Sequence, residues 1–233
     1  KERPEMTPTW KTFATVDPFD GMTADDPAIL QDLAGGFWVD GDAHRDILDP
    51  INGEAFIKVP DTQLFEPFFE GLLSCPKSGL HNPLKNNDRY VYLGRVCAKA
   101  AALMADPDVE AYFTRLIQRV MPKSWQQCLN EVVVTRVFLE NFAGDGVRFL
   151  GRGFSNPGYR TGQQSNGYRW PYGPVVIVAP FNFPLEIPAL QLMLSVEARS
   201  WFPSTNSFCT LNMALPEPLP WQPRGTVMAR LSN

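Results

Sequence analysis

The chain has 233 residues, 44% of them hydrophobic and 20% charged, with a formal net charge of −4. That size and balance suit a globular protein that buries a real core, in one large domain or two small ones. The mild acidity leaves no basic footprint for nucleic acid or an anionic membrane surface, and no apolar run nears the ~20 residues of a membrane-spanning helix.

No signal-peptide pattern opens the chain, and its first residue is Lys1 rather than Met, which reads as a processed or trimmed start. The cysteines (Cys75, Cys97, Cys128, Cys209) are widely spaced with no Cys-x-x-Cys, the pattern of buried free thiols in a reducing compartment. His44 and His81 are the only histidines and have no ligand-like neighbours, so a metal site is not expected.

Residues 1–33 are polar and weakly patterned: an N-terminal arm, with one short helix predicted at Pro27–Leu33. Within 34–60, Asn52-Gly53 sits between two apolar-flanked runs, and both residues tolerate positive φ. A hairpin of two or three antiparallel strands is predicted there. From 61 to 150 the period turns helical. Leu64, Phe65, Phe68, Phe69 and Leu72 mark one short helix, and Tyr90, Leu93, Cys97, Ala100, Ala101 and Met104 a second, ending near Asp106-Pro107. Val109, Tyr112, Phe113, Leu116, Ile117, Val120 and Met121 form the cleanest stripe. After Pro122, Trp125, Cys128, Leu129, Val132, Val133, Val137 and Phe138 carry the next helix toward Gly144. Packing between helices accounts for these aromatics.

Residues 151–172 are turn-rich and read as a connector. Gly151-x-Gly153 fails the dinucleotide fingerprint, because no strand precedes it and Asn156 stands where the third glycine belongs. The chain is organised around Gly173 to Pro184. Val175 to Ala179 reads as a strand buried on both faces, stopping at Pro180. A short turn carries Asn182, and Pro184 opens an apolar helix through Leu185, Ile187, Leu190, Leu192 and Met193. This order puts Asn182 at the carboxyl end of the strand, where open α/β sheets bind ligands. Asn also suits the cap of the following helix, so a ligand role and a capping role both stand. Within 151–215 the run 207–215 is a candidate neighbouring strand, reached by a parallel βαβ crossover, and 216–233 reads as an irregular tail. The fold class is α/β, an α+β remnant: hairpin, helical region, then the first βα(β) unit of a truncated Rossmann-like domain.

Gly167-Tyr168-Arg169-Trp170-Pro171-Tyr172-Gly173-Pro174, running into Pro180-Phe181-Asn182-Phe183-Pro184-Leu185-Glu186-Ile187-Pro188, resembles the aldehyde dehydrogenase superfamily. Within it the likeness is to plant and algal Δ1-pyrroline-5-carboxylate (L-glutamate γ-semialdehyde) dehydrogenases. Leu48-Asp49-Pro50-x-Asn52-Gly53-Glu54-x-Phe56-Ile57-Lys58-Val59, Gly79 to Pro83, Leu116 to Val120 and Phe138 to Phe142 add to it, so that it covers about residues 34–193. The resemblance implies a mitochondrial matrix enzyme of proline catabolism. A cysteine thiolate attacks the aldehyde, hydride passes to NAD, and a glutamate-activated water releases the acid. It makes Asn182 the oxyanion asparagine, a donor worth about 3–4 kcal/mol in the transition state.

The resemblance stops at Met193. Cys209 does not fit the family's nucleophile motif, Glu186 and Glu197 lack the context of its general base, and its cofactor lysine has no counterpart. The expectation is therefore a non-catalytic remnant in which Asn182 and the cofactor-facing positions Ala179, Pro180 and Phe181 are vestigial. No cofactor is expected on this chain, NAD being the family's. Its partners would be other protein subunits of a mitochondrial assembly, without nucleic acid or a membrane span. The alternatives are a fragment of an active dehydrogenase and a small-molecule binding module.

Overall fold

The computed structural model describes residues 8–34, 37–63, 66–73, 86–169, 175–199 and 227–229. Where a helix is predicted at Pro27–Leu33, two short strands stand instead, β1 (Ala28–Ile29) and β2 (Asp32–Ala34). Ala28 and Leu33 are buried while Ile29 is exposed, and the segment is held extended by pairing on either side, β1 with the strand at Ala55–Pro60 and β2 with the strand that follows it. β2 pairs antiparallel with β3 (Phe37–Val39). The predicted hairpin forms from β4 (His44–Leu48) and β5 (Ala55–Pro60), with Ile47 opposite Ile57, and β1 joins the other edge of β5 in parallel.

The hairpin turn differs in type from the predicted one. Only Gly53 takes a positive φ, +75°. Asn52 contributes its side chain, whose Oδ1 accepts the N–H of Glu54 at 2.9 Å, and Asp49 Oδ1 accepts that of Ile51 at 2.8 Å. The backbone closes through Asp49 N–H to Glu54 O and Gly53 N–H to Asp49 O, so residues 49–54 form a wider loop held by side-chain turns.

The helices follow as α1 (Glu66–Leu73), α2 (Asn86–Met104), α3 (Pro107–Val120) and α4 (Trp125–Asn141). In α2 the predicted stripe is the buried one: Tyr90, Leu93, Cys97, Ala101 and Met104. Asp106 caps α3, accepting from the N–H groups of Asp108 (2.9 Å) and Val109 (3.4 Å), with Pro107 at the first helical position. Ser124 and Gln127 form a reciprocal capping box at the start of α4.

On α4 the buried face is Cys128, Glu131, Val132, Thr135 and Leu139, whereas Trp125, Val137 and Phe138, predicted to be inside, are exposed. Apolar residues lie all round this helix, so the period alone could not choose its inner face. A wide turn at Phe142–Gly146 and the short α5 (Val147–Leu150) follow. Gly94 of α2 admits this turn: a Cβ there would lie 2.7 Å from Val147 Cγ2 and 3.3 Å from Ala143 O.

The connector contains an antiparallel hairpin, β6 (Phe154–Pro157) with β7 (Gln164–Gly167). All eight residues are exposed, so no inside–outside alternation announces the strands in the sequence. Arg169 fastens the hairpin's base, donating to the carbonyls of Phe149 and Arg152 and lying against the rings of Phe149 and Phe154.

Beyond it come β8 (Val175–Ile177), α6 (Glu186–Arg199) and β9 (Val227–Ala229). β9 lies in the segment predicted to be irregular, and it pairs with β8 antiparallel rather than as a parallel crossover. Residues 207–215, the predicted neighbour, lie outside the described residues, as do Cys75, His81 and Cys209. The segment after α6 is long enough to return in either direction, and either pairing satisfies the edge of β8. The predicted burial on both faces does not hold along the whole run: Ile177 is 5% exposed but Val178 is 65% exposed. No described helix is long and apolar enough to cross a membrane.

Two cores share α3. Val120 packs with Met22, Ala28, Ile47, Phe56 and Ile57, while Ile117 packs with Ala101, Met104, Cys128, Val132 and Leu139. Leu185 and Met193 bring the α6 segment onto the second core. The N-terminal arm is tied down as well. Trp10 is buried and stacks on Tyr112 at 4.9 Å, with Phe13 edge-on to the same ring.

Burial and the charge of Asp17 push the Tyr112 phenol up to about 12, from about 10 in an unfolded chain. Its contribution to stability is therefore complete below pH ~10 and is lost as pH rises to about 12, because only the unfolded state releases the proton in that window. Denaturation midpoints measured across that window should fall more steeply for the wild type than for Tyr112→Phe.

Candidate functional site around Asn182

Lys123 leaves the end of α3 beyond Pro122, and Glu131 stands on the inner face of α4, two turns after the capping box. Lys123 Nζ donates to Glu131 Oε2 at 2.9 Å, with the carboxylate side chain only 1% exposed and the lysine side chain 16%. The other carboxylate oxygen of Glu131 accepts the N–H groups of Leu185 (2.9 Å) and Glu186 (3.2 Å). These N–H groups belong to the residue just before α6 and to the first residue of that helix, where a helix start has no partners of its own. Glu131 thus caps α6 from another helix, its negative charge at the positive end of the helix dipole.

The same ammonium donates to the carbonyl of Asn182 and lies 4.2 Å from the centre of the Phe183 ring. Residues 182–186 are therefore held at the carbonyl of Asn182, the ring of Phe183 and the two N–H groups after Pro184, whose own ring is buried. Asn182 is exposed on this turn, beyond the carboxyl end of β8. Its side-chain amide forms no hydrogen bond with the described residues. The capping role that sequence leaves open for Asn182 is filled by Glu131, and the amide is free to meet something else.

Ala179 is half-buried, and Pro180 and Phe181 are exposed on the same rim. An open groove of about 270 Å³ runs beside the turn, lined by Lys123, Gln127, Asn130, Glu131, Phe183 and Glu186 among others. Pro184 precedes α6 by two residues instead of opening it, since the helix begins at Glu186.

Two carboxylates meet at this place. Burial, then the charge of Glu131, push the Glu186 carboxyl up, while Lys123 pulls it down. The Cys128 thiol, fully buried one turn before Glu131, is raised by burial first and by Glu131, against the pull of Lys123. A protonated, enclosed thiol is a packing group, not a nucleophile. Cys97 is buried too. Among the described residues no cluster of His, Cys, Asp or Glu could hold a metal ion.

The start of α6 has the N–H groups of Leu185 and Glu186 already occupied. A phosphate would seek unpaired N–H groups at a helix start, and these two are filled by a protein carboxylate. The turn ahead of α6 is Pro180-Phe181-Asn182-Phe183-Pro184, without a glycine to let a backbone approach phosphate.

Sequence reading singled out Asn182 and missed its two holders. Glu131 did leave a sign: it falls on the buried phase of α4, three residues after Cys128 and four before Thr135, where a carboxylate needs a partner.

A strand ending in a turn, followed by a helix seated on a helical layer, makes this an α/β fragment. Residues 92–199 match the aldehyde dehydrogenase family, and the chain carries an N-terminal segment of a member of that family. It is 56% identical over 183 residues to Delta-1-pyrroline-5-carboxylate dehydrogenase 12A1, mitochondrial, of Arabidopsis thaliana, covering 78% of this chain and 33% of that protein. The fold is similar to that of aldehyde dehydrogenase 21 from Physcomitrella patens in complex with succinate (TM-score 0.56, 18% identity, 74% of this chain and 35% of that one). It is also similar to that of 1-pyrroline-5-carboxylate dehydrogenase from Thermus with bound NAD (TM-score 0.52, 17% identity, 74% of this chain and 32% of that one). The chain spans about a third of the length of the curated relatives it matches.

At neutral pH the ionised Glu186 faces the charge of Glu131. Because its carboxyl is raised in the folded state, protonation stabilises the fold and ionisation weakens it. Glu186→Gln should melt higher than the wild type at pH 7, and the difference should close as pH falls through the carboxyl's titration. Thermal melts across that range check it.

Proposed function

We propose that this chain supplies the aldehyde-oxygen side of an aldehyde dehydrogenase site and performs no turnover by itself. The observation that carries the reading is the side-chain amide of Asn182, exposed on an anchored turn and without a hydrogen bond among the described residues. In the oxidation of an aldehyde by a thiolate, negative charge gathers on the former carbonyl oxygen as the tetrahedral adduct forms. A neutral N–H₂ donor fixed in place beforehand stabilises that charge without reorganising. The substrate would be L-glutamate γ-semialdehyde and the setting mitochondrial, as the 56% identity to the Arabidopsis protein supports.

The described cysteines cannot be the attacking sulfur, since Cys97 and Cys128 are buried. The start of α6, capped by Glu131, has the N–H groups of Leu185 and Glu186 already taken and cannot offer them to the phosphates of a hydride acceptor. The sulfur and the donors to those phosphates would come from other protein, in a longer chain or a separate subunit, and the chain's own part is then positional and structural. Beside Asn182 the surface is apolar: Val178, Phe181, Phe183 and Val134 are exposed, the last two lining the same groove. Such a rim supports an accessory role against a covering partner, which would also exclude water from the amide.

The purified chain with L-glutamate γ-semialdehyde and NAD should form no NADH above background, and turnover by the chain alone would overturn the non-catalytic part of the proposal. Grafting residues 34–193 into a working Δ1-pyrroline-5-carboxylate dehydrogenase in place of the matching segment should keep activity. In that chimaera Asn182→Ala should cut kcat by about 10²–10³, the usual effect of deleting an oxyanion donor. An unchanged kcat would remove Asn182 from the chemistry.

A further inference from the structure

We infer that Lys123 and Glu131 are positioning residues for the Asn182 amide, an inference that rests on Asn182 being the oxyanion donor. The two side chains grip the turn from opposite ends. Lys123 holds the Asn182 carbonyl and Glu131 holds the N–H groups of Leu185 and Glu186. They also grip each other, at 2.9 Å. Residues 182 to 186 thereby form a loop closed across one ion pair, with the Phe183 ring against the ammonium.

The side chain of Asn182 takes no part in this closure, and the position of its Cα follows from the backbone that the pair fixes. An amide on a loose turn samples both backbone positions and rotamers and would have to be ordered during reaction; pinning the backbone on both sides leaves only the rotamers to be chosen. The pair suits this task because neither group can leave alone. Removing Lys123 strands a carboxylate that is 1% exposed, and removing Glu131 strands the ammonium and two N–H groups. Neither residue need touch the reacting atoms.

The test uses the full chain and needs no catalysis. In Lys123→Met and in Glu131→Gln, hydrogen exchange at the Leu185 and Glu186 amides should rise at least about tenfold, with exchange inside α3 unchanged. The two side-chain N–H₂ resonances of Asn182 should move toward those of a free asparagine. Lys123→Arg, which keeps the charge, should restore protection and resonance positions. Folded variants whose Asn182 resonances stay in place would overturn the inference, as would an exchange increase spread evenly over the chain. Should Glu131→Gln not fold, Lys123→Met, at a less buried position, decides alone. If these signals respond while kcat of the chimaera ignores Asn182→Ala, the positioning stands and the catalytic reading falls.

Discussion

A single carboxylate joins the parts of this molecule that matter most. Glu131 sits in the second core, where an unpaired charge would be prohibitive, and it is tolerated because each oxygen is occupied: one by Lys123, the other by the opening N–H groups of α6. The arrangement meets three needs that would otherwise be separate. It neutralises a lysine at the α3–α4 junction, it caps a helix that has no cap in its own sequence, and it sets the turn between β8 and α6. Replacing the pair with apolar groups could leave the core just as stable, as is common for buried ion pairs. What the apolar version would lack is direction, since methyl groups do not orient a backbone carbonyl or two N–H groups.

The carboxyl end of α3 is where the two cores are tied together. Arg119 donates from its last turn to the carbonyl of Met22, forms an ion pair with the buried Asp49 at 3.0 Å and lies 5.5 Å from the Phe56 ring. Four residues on, Lys123 does the matching work toward Asn182. The choice of cation differs for a physical reason. Arg119 serves a carboxylate, a carbonyl and an aromatic face at once, which a flat guanidinium can do, whereas Lys123 is a point charge enclosed among three neighbours. The β4–β5 loop and the Asn182 turn, far apart in the chain, are thus referred to one short segment, residues 119–123.

Legibility in the sequence followed the strength of the pattern. The α3 stripe, Asp106-Pro107 as a helix start and Asn52-Gly53 as a turn could be read because each rests on contacts within a few residues. The β6–β7 hairpin could not, because strands exposed on both faces carry no alternation. α4 showed its extent but not its inner face, since valines and aromatics surround it. Asn182 was legible as a polar residue beyond the end of a strand, whereas the group that caps α6, Glu131, lies some fifty positions earlier. Long-range polar partners are where local pattern ends.

That point bears on how the Asn182 amide should be understood. Asparagine ahead of a helix is ordinarily explained by its own capping bond, and with that bond its amide would be turned inward and occupied. Here α6 is capped at the distance of a whole helix, by a group whose charge exceeds what an asparagine could offer the same N–H groups. Asn182 stands four residues ahead of the first residue of α6, outside the capping position, and its side chain is exposed. An exposed amide on a backbone anchored at both ends is what remains, and that anchoring depends on a carboxylate fifty-one positions earlier in the chain.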